Sequence, residues 1–261
     1  MMNKHLLVKE LREARLKFII GLVYFLVLGV IVAVSYEFLK QLGIEDLLPG
    51  AGRTSGFLGN LMKQLEFLLK DFDVYLWSQW HAKNVIQSGT IFSIILGMNL
   101  ISGEISNKTM GFLLSKPISK DEIYATKAVS GLIILYSVII ISTAAVAGIT
   151  WFRGYRPDVS KLLLGLVPPL VGFTAVFFTA LLFSGIYEDS VKAGLITGLI
   201  WGALSLFSFS RYTYKLSPFF HMRAPQYIFE GEFPVLETVV LGGIALLIYF
   251  IGLKTFKGKE F

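Results

Sequence analysis

Six stretches without a single Asp, Glu, Lys or Arg, or nearly so, divide this 261-residue chain: 18–36, 84–103, 128–152, 162–187, 193–210 and 233–253, the last interrupted near its start by Glu237. An α-helix rises about 1.5 Å per residue, so roughly 20 apolar residues cross a hydrocarbon core about 30 Å thick. Lipid offers no partner for backbone N–H and C=O groups, and a crossing segment must satisfy them internally. These runs lack the roughly ten-residue alternation of barrel strands. The expected fold is therefore an all-α membrane protein with six transmembrane helices in one transmembrane domain over residues 1–261. Composition agrees: 54% of residues are hydrophobic and 16% charged, more apolar surface than one soluble core can bury.

Basic residues ahead of the first run, with Ala33 and Ser35 inside it, give the outline of a secretory signal. The run exceeds the usual apolar core of about 7–15 residues, and five more follow, so it is read as the first span. Before it, Leu7, Leu11, Ala14 and Phe18 recur at helical spacing, with Lys9, Glu10, Arg12, Glu13, Arg15 and Lys17 on the other faces. Residues 3–17 are accordingly read as an amphipathic interfacial helix on the inner leaflet; a plain extension of the first span is the alternative. Six crossings put both ends of the chain on one side. Lys4, Lys9, Arg12, Arg15, Lys17, Lys254, Lys257 and Lys259 make that side the cytoplasm of a multi-pass plasma-membrane protein, although Arg153, Arg156 and Lys161 then flank an outer loop.

Segments 37–83 and 211–232 are expected outside. In the first, Pro49, Gly50, Gly52, Gly56 and Gly59 mark a loop, and Phe57, Leu61, Leu65, Leu68, Phe72 and Leu76 predict a second amphipathic helix. Tyr75, Trp77 and Trp80 read as an interfacial aromatic belt, and the alternative for the helix is that it packs on neighbouring protein. Pro168 and Pro169 predict a kink or a helix start. Gly194, Gly198 and Gly202, four apart, predict close helix packing. The aromatic segment from Arg211 to Glu232, broken by Pro218 and Pro225, is expected to lie at the interface, partly re-entrant, or to form a structured loop.

The interiors of the runs carry no ionisable group to couple an ion gradient to transport, such groups beginning only at the ends with Glu37, Glu104, Glu188 and Glu237. Gln87, Thr90, Asn99, Thr197 and Ser205 are the polar candidates for a substrate path. No nucleotide loop is present: Gly258-Lys259 has Leu253 where the first glycine belongs and Glu260 in place of Ser or Thr. Neither Gly-x-Ser-x-Gly nor His-Glu-x-x-His occurs, so no catalytic residue and no enzyme activity are expected. With no cysteine and with His5, His81 and His221 far apart, no metal site is expected. The net charge of +6 forms no dense basic tract, which argues against nucleic acid and for anionic lipid.

Segment 104–127 carries the motif. After Gly97 the chain runs through Gly103-Glu104, Thr109, Phe112-Leu113-Leu114, Pro117 and Ser119 to Lys127, and Leu216-Ser217-Pro218 follows the fifth run. Phe112, Leu113 and Leu114 form an apolar patch beside Lys116, Lys120 and Asp121 that suits a groove on another protein. Ser119 followed by Glu122 predicts a capping box and a helix starting near Lys120. The pattern Gly-Glu, Thr, Leu-Leu, Pro, Ser, Lys resembles that of ABC-2 type permeases, the transmembrane subunits of ATP-binding-cassette exporters. It is closest to the branch that includes the nitrous-oxide-reductase maturation permease and small peptide or antibiotic exporters.

That resemblance implies a type V exporter-like architecture. It also implies a coupling helix around Ile105–Leu114 that docks on a separate ATPase subunit, and a path lined by spans 1, 2 and 5. Gly103, Glu104, Thr109, Phe112, Leu113, Leu114 and Pro117 would be the ATPase-coupling residues, with Glu104 pairing with a charge on the ATPase. The chain itself would bind no cofactor, ATP and Mg residing on the partner, and a second permease subunit, identical or homologous, would complete the assembly. An amphipathic or hydrophobic cargo is expected, best matched by a peptide, with soft metals disfavoured despite Met98, Met110, His221 and Met222. A non-transporting scaffold or sensor is the alternative.

Overall fold

The computed structural model describes residues 4–41, 69 and 71–260, and among them every regular element is helical. The loop at Pro49–Gly59 lies outside the described residues, as do Phe57, Leu61, Leu65 and Leu68 of the expected amphipathic helix, whose last two positions, Phe72 and Leu76, belong to the helix that opens the second span. Six helices are long and apolar enough to cross a membrane: Arg15–Gln41, Phe72–Ser106, Lys120–Phe152, Val159–Ile186, Ser190–Phe209 and Val235–Gly258. They extend beyond the uncharged runs because long polar side chains at helix ends keep their heads in water while their stems cover apolar surface. The second helix thus already begins at Phe72, capped by Asp71, whose carboxylate accepts from Asp73 N–H (2.8 Å).

Successive spans alternate in direction. At the end that holds the expected coupling segment, called the coupling end for that expectation, lie the N-terminal helix Lys4–Glu13, the short helices Ser102–Ser106 and Met110–Leu114, and the last residues of the sixth span. Lys257 pairs with Asp121 (3.0 Å), and Lys259 Nζ donates to Ile186 C=O (3.1 Å). At the opposite end Arg153 pairs with Glu37, and Lys161 Nζ donates to Ile228 C=O (2.8 Å).

Lipid tails are as apolar as leucine, so helix association rests on close packing and buried hydrogen bonds rather than on the hydrophobic effect. The fourth span supplies the hub: 78% of its most apolar window is buried, against 28%, 17% and 22% for the first, fifth and sixth. Two of its phenylalanines, one turn apart, enter sockets left by glycines. A Cβ at Gly89 of the second span would lie 2.4 Å from Phe173 Cζ, and one at Gly131 of the third span 2.4 Å from Phe177 Cζ. Pro168 and Pro169 sit in the first turn of Val167–Ile186, after the short helix Val159–Leu164. The pair therefore starts a helix, where its missing N–H groups have no intrahelical partner to lose.

Two further readings change. The aromatic belt is an inward-facing group: Trp80 is fully buried and donates to Thr143 Oγ1 (3.0 Å), Tyr75 donates to Val32 C=O (3.0 Å), and Trp77 donates to Arg223 C=O (3.1 Å). Each aromatic finds a hydrogen-bond partner within the bundle, which makes burial there more favourable than an interfacial position. Among the described residues the glycine series on the fifth span packs within the chain at Gly194, against Met98, and nothing lies within 4 Å of a Cβ built at Gly198 or Gly202. The segment between the fifth and sixth spans folds into the short helices Pro218–Arg223 and Pro225–Phe229, with Met222 buried against Gly172 of the fourth span.

Candidate functional site

The second span ends at Gly97, passes through an irregular turn over Met98–Ile101, and resumes as Ser102–Ser106. A helix start exposes N–H groups that need acceptors. Here Ser184 Oγ, from the fourth span, accepts from Ile101 N–H (3.0 Å) and Ser102 N–H (2.9 Å). The resumed helix stops at Lys108, whose φ of 59° turns the chain, and Met110–Leu114 follows. Ser119 then opens the third span through the expected capping box: its Oγ accepts from Glu122 N–H (3.2 Å), and Glu122 Oε2 accepts from Ser119 N–H (3.3 Å). Where one coupling helix over 105–114 was expected, two five-residue helices meet at an angle-forming turn.

Two helical turns into the third span stands Lys127, its side chain 2% exposed. Its Nζ donates to Glu10 Oε1 (2.8 Å) and Glu104 Oε1 (3.0 Å). Lys9 also donates to Glu104 Oε1 (3.3 Å) and pairs with Glu13 (3.4 Å), while Thr109 donates its hydroxyl to Glu104 Oε2. Two lysines thus alternate with three carboxylates, joining the N-terminal helix, the end of the second span and the third span. Partial burial opposes the charge on Lys9, but the carboxylates of Glu104, Glu10 and Glu13 outweigh it and hold its pKa above the ordinary value. Glu10, Glu13 and Glu104 come close enough to share a cation, and the ammonium groups of Lys9 and Lys127 supply one.

This arrangement revises the N-terminal helix. Its inward face carries Leu6 and Glu10, both buried, whereas the sequence pattern put Glu10 on a polar face. A carboxylate buried with a bonded ammonium is tolerated where a lone one is not. The helix is interrupted at Ala14, yet Ala14 N–H still donates to Glu10 C=O (3.0 Å). It therefore leans on the third span as a bent continuation of the first.

Of the residues expected to couple to an ATPase, Gly103, Glu104 and Thr109 gather at this network. Gly103 leaves room for the Asn99 side chain, whose Oδ1 would lie 2.7 Å from a Cβ placed there. Glu104, whose side chain is 12% exposed, pairs with Lys127 and Lys9 inside the chain. The apolar patch is also smaller than expected. Leu113 is 4% exposed and belongs to the core, Leu114 is half-buried, and Phe112 stands out at 69%, with Lys116 Nζ 4.8 Å above its ring. Pro117 is exposed beside it.

The path candidates do not converge. Thr90 and Thr197 bond carbonyls of their own helices, at Ile86 and Ala193, and Ser205 bonds Gly202 C=O. Gln87 is exposed, and Asn99 lines the cavity at the ionic network. Glu10 and Lys9 were missed as site residues. The available signal was Lys127 itself, a lone charge inside an otherwise uncharged stretch of helix that demands a buried carboxylate from elsewhere.

Compared with protein-family models, residues 5–210 match the family described as ABC-2 family transporter protein. No curated protein and no solved structure matches the chain.

Proposed function

The chain belongs to the ABC-2 family of transporter proteins, and from that membership as a membrane component of an ABC transporter we propose that it is the permease subunit of an exporter driven by a separate ATPase. The observation that carries this reading is the ionic network at the coupling end. Lys127, Glu104 and Glu10 join three elements through buried charge-assisted bonds, and Phe112 projects from the helix just beyond them. An apolar ring held out on a rigid mount suits insertion into a groove on a partner. Displacement of that ring would pass through Glu104 into the third span and through Glu10 into the N-terminal helix. ATP and Mg belong to the partner in this reading, and the coupling end with both chain ends faces the cytoplasm of a plasma membrane.

A second permease copy is part of the proposal. The fifth span buries little of its surface within the chain, and Gly198 and Gly202 leave an open small-residue stripe of the kind that admits another helix closely. The cargo we propose is amphipathic or hydrophobic, a peptide being the best match to the apolar interior. A 670 Å³ groove between the fourth, fifth and sixth spans, lined by Trp201, Leu204, Leu241 and Ile248, supports apolar cargo.

The test is co-purification with an ATP-binding-cassette ATPase encoded beside this chain, followed by ATP hydrolysis in lipid nanodiscs. Phe112→Asp is expected to lose the ATPase while the permease keeps its thermal stability. If no ATPase associates with the wild-type chain, the exporter reading falls and the scaffold or sensor alternative replaces it.

A further inference from the structure

A second cavity opens toward lipid between the first and second spans. It measures about 370 Å³ and is walled by Ile20, Gly21 and Tyr24 on one side and Ser88, Ile91 and Phe92 on the other. Ile20 and Ile91 remain 59% and 58% exposed. The groove exists because the two helices touch at Gly21, where a Cβ would lie 2.6 Å from Phe92 Cζ, and diverge toward the bilayer from there. Its deep end is closed by the hydrogen bond between Tyr24 OH and Ser88 Oγ (3.2 Å).

One charged residue, Lys17, lines this groove, and it also lines the 470 Å³ cavity that holds the ionic network. Four lysines and three carboxylates face that cavity: Lys9, Lys17, Lys116 and Lys127 against Glu10, Glu13 and Glu104. Every carboxylate already has a lysine, because Lys127 holds Glu10 and Glu104 and Lys9 holds Glu13 and Glu104. Lys17 is half-buried and has no hydrogen bond or ion pair among the described residues. The seven groups together carry one net positive charge, and Lys17, which feels the charge of Glu10 but is bonded to none of the three carboxylates, stands at the junction of a polar chamber and an apolar slot. From Lys17 to Tyr24 the slot runs about 10 Å along the helix axis at 1.5 Å per residue, within the roughly 15 Å depth of one leaflet's hydrocarbon.

We propose that this junction is a binding site for an acidic phospholipid of the leaflet at the coupling end: Lys17 donates to the phosphate, the headgroup occupies the polar chamber, and one acyl chain lies in the Gly21–Phe92 groove. Charge complementarity selects this occupant. A neutral lipid or an apolar protein segment would fill the slot and leave the ammonium unpaired, whereas a headgroup of net negative charge completes it. The bound lipid would tie the first span to the second beside the ionic network. The proposal does not depend on the exporter reading.

The experiment is native mass spectrometry of the full chain in non-ionic detergent, titrated separately with dioleoyl phosphatidylglycerol and dioleoyl phosphatidylcholine. The wild type is expected to retain phosphatidylglycerol about tenfold more tightly than phosphatidylcholine, the scale of one charge-assisted contact. Lys17→Gln is expected to abolish the preference and Lys17→Arg to keep it. Ile91→Trp, which fills the groove without changing charge, is expected to weaken both lipids, and Lys215→Gln at the opposite end to leave the ratio unchanged. An equal preference in wild type and Lys17→Gln overturns the proposal. So does displacement of the lipid by millimolar inorganic phosphate, which would reveal a free-anion site. Ile91→Cys forming a disulfide between copies in the membrane overturns it too, because a second chain would then cover the groove.

Discussion

Replacing Lys127 with methionine removes a charge while keeping the length and most of the volume of the side chain, so its effect isolates the ionic network from packing. The structure makes the consequences unequal for the two carboxylates it serves. Glu104 keeps Lys9 and the Thr109 hydroxyl, but Glu10, 4% exposed, loses the donor at 2.8 Å and keeps, among the described residues, Lys9 at 3.9 Å and Lys17 beyond ion-pair distance as cations. A buried charge stripped of its partner costs about 3–5 kcal/mol, and most of that falls on Glu10. Glu10→Leu alone leaves Lys127 bonded to Glu104 and is expected to cost less, about 1.5–3 kcal/mol for one charge-assisted bond. Combining Lys127→Met with Glu10→Leu removes the stranded charge as well, so the double variant should recover at least about 2 kcal/mol relative to the sum of the singles. Unfolding in mixed micelles titrated with sodium dodecyl sulfate, followed by tryptophan fluorescence, reads the cycle. Additive costs would refute the reasoning, because they would mean that Glu10 and Lys127 do not depend on one another.

Three shorter predictions follow from the same geometry. Gly131→Ala drives a methyl into the Phe177 ring and is expected to destabilise by about 1–3 kcal/mol, with Phe177→Leu in the same chain restoring part of it; thermal unfolding in detergent checks both. Ser184→Ala leaves the N–H groups of Ile101 and Ser102 without their acceptor in a buried position, at about 1–3 kcal/mol, and hydrogen exchange at those two amides should accelerate while Gly89 is unaffected. Ser119→Ala removes the cap of the third span and should cost about 1 kcal/mol, with Ser119→Asp retaining stability in the same melting assay.

The spans, the Ser119 cap and the helix start at Pro168 were legible because each is written in neighbouring residues: a run without charge, a hydroxyl three positions before a carboxylate, two missing N–H groups. Glu10 was not legible, since its partner Lys127 lies 117 positions away and nothing local distinguishes a carboxylate that meets a buried lysine from one that meets water. The same limit applies to Leu113, which reads as part of an exposed patch with Phe112 until the N-terminal helix is brought over it. Tyr75, Trp77 and Trp80 misled for a different reason: a belt and an inward cluster have the same composition, and the hydrogen-bond acceptors that decide between them belong to other helices.

The phenylalanine sockets restrict how the bundle can move. Phe173 in the Gly89 socket resists sliding or rotation of the second span on the fourth, and Phe177 does the same for the third. Two bolts set one helical turn apart in the same rod fasten both neighbours to it, so these three spans share their rigid-body degrees of freedom. In the proposed permease, motion that opens a route across the membrane must then be taken up by the spans left outside this block, above all the fifth, whose apolar window is 17% buried, since the sixth lies along the fourth and meets Tyr124 of the third at Gly252.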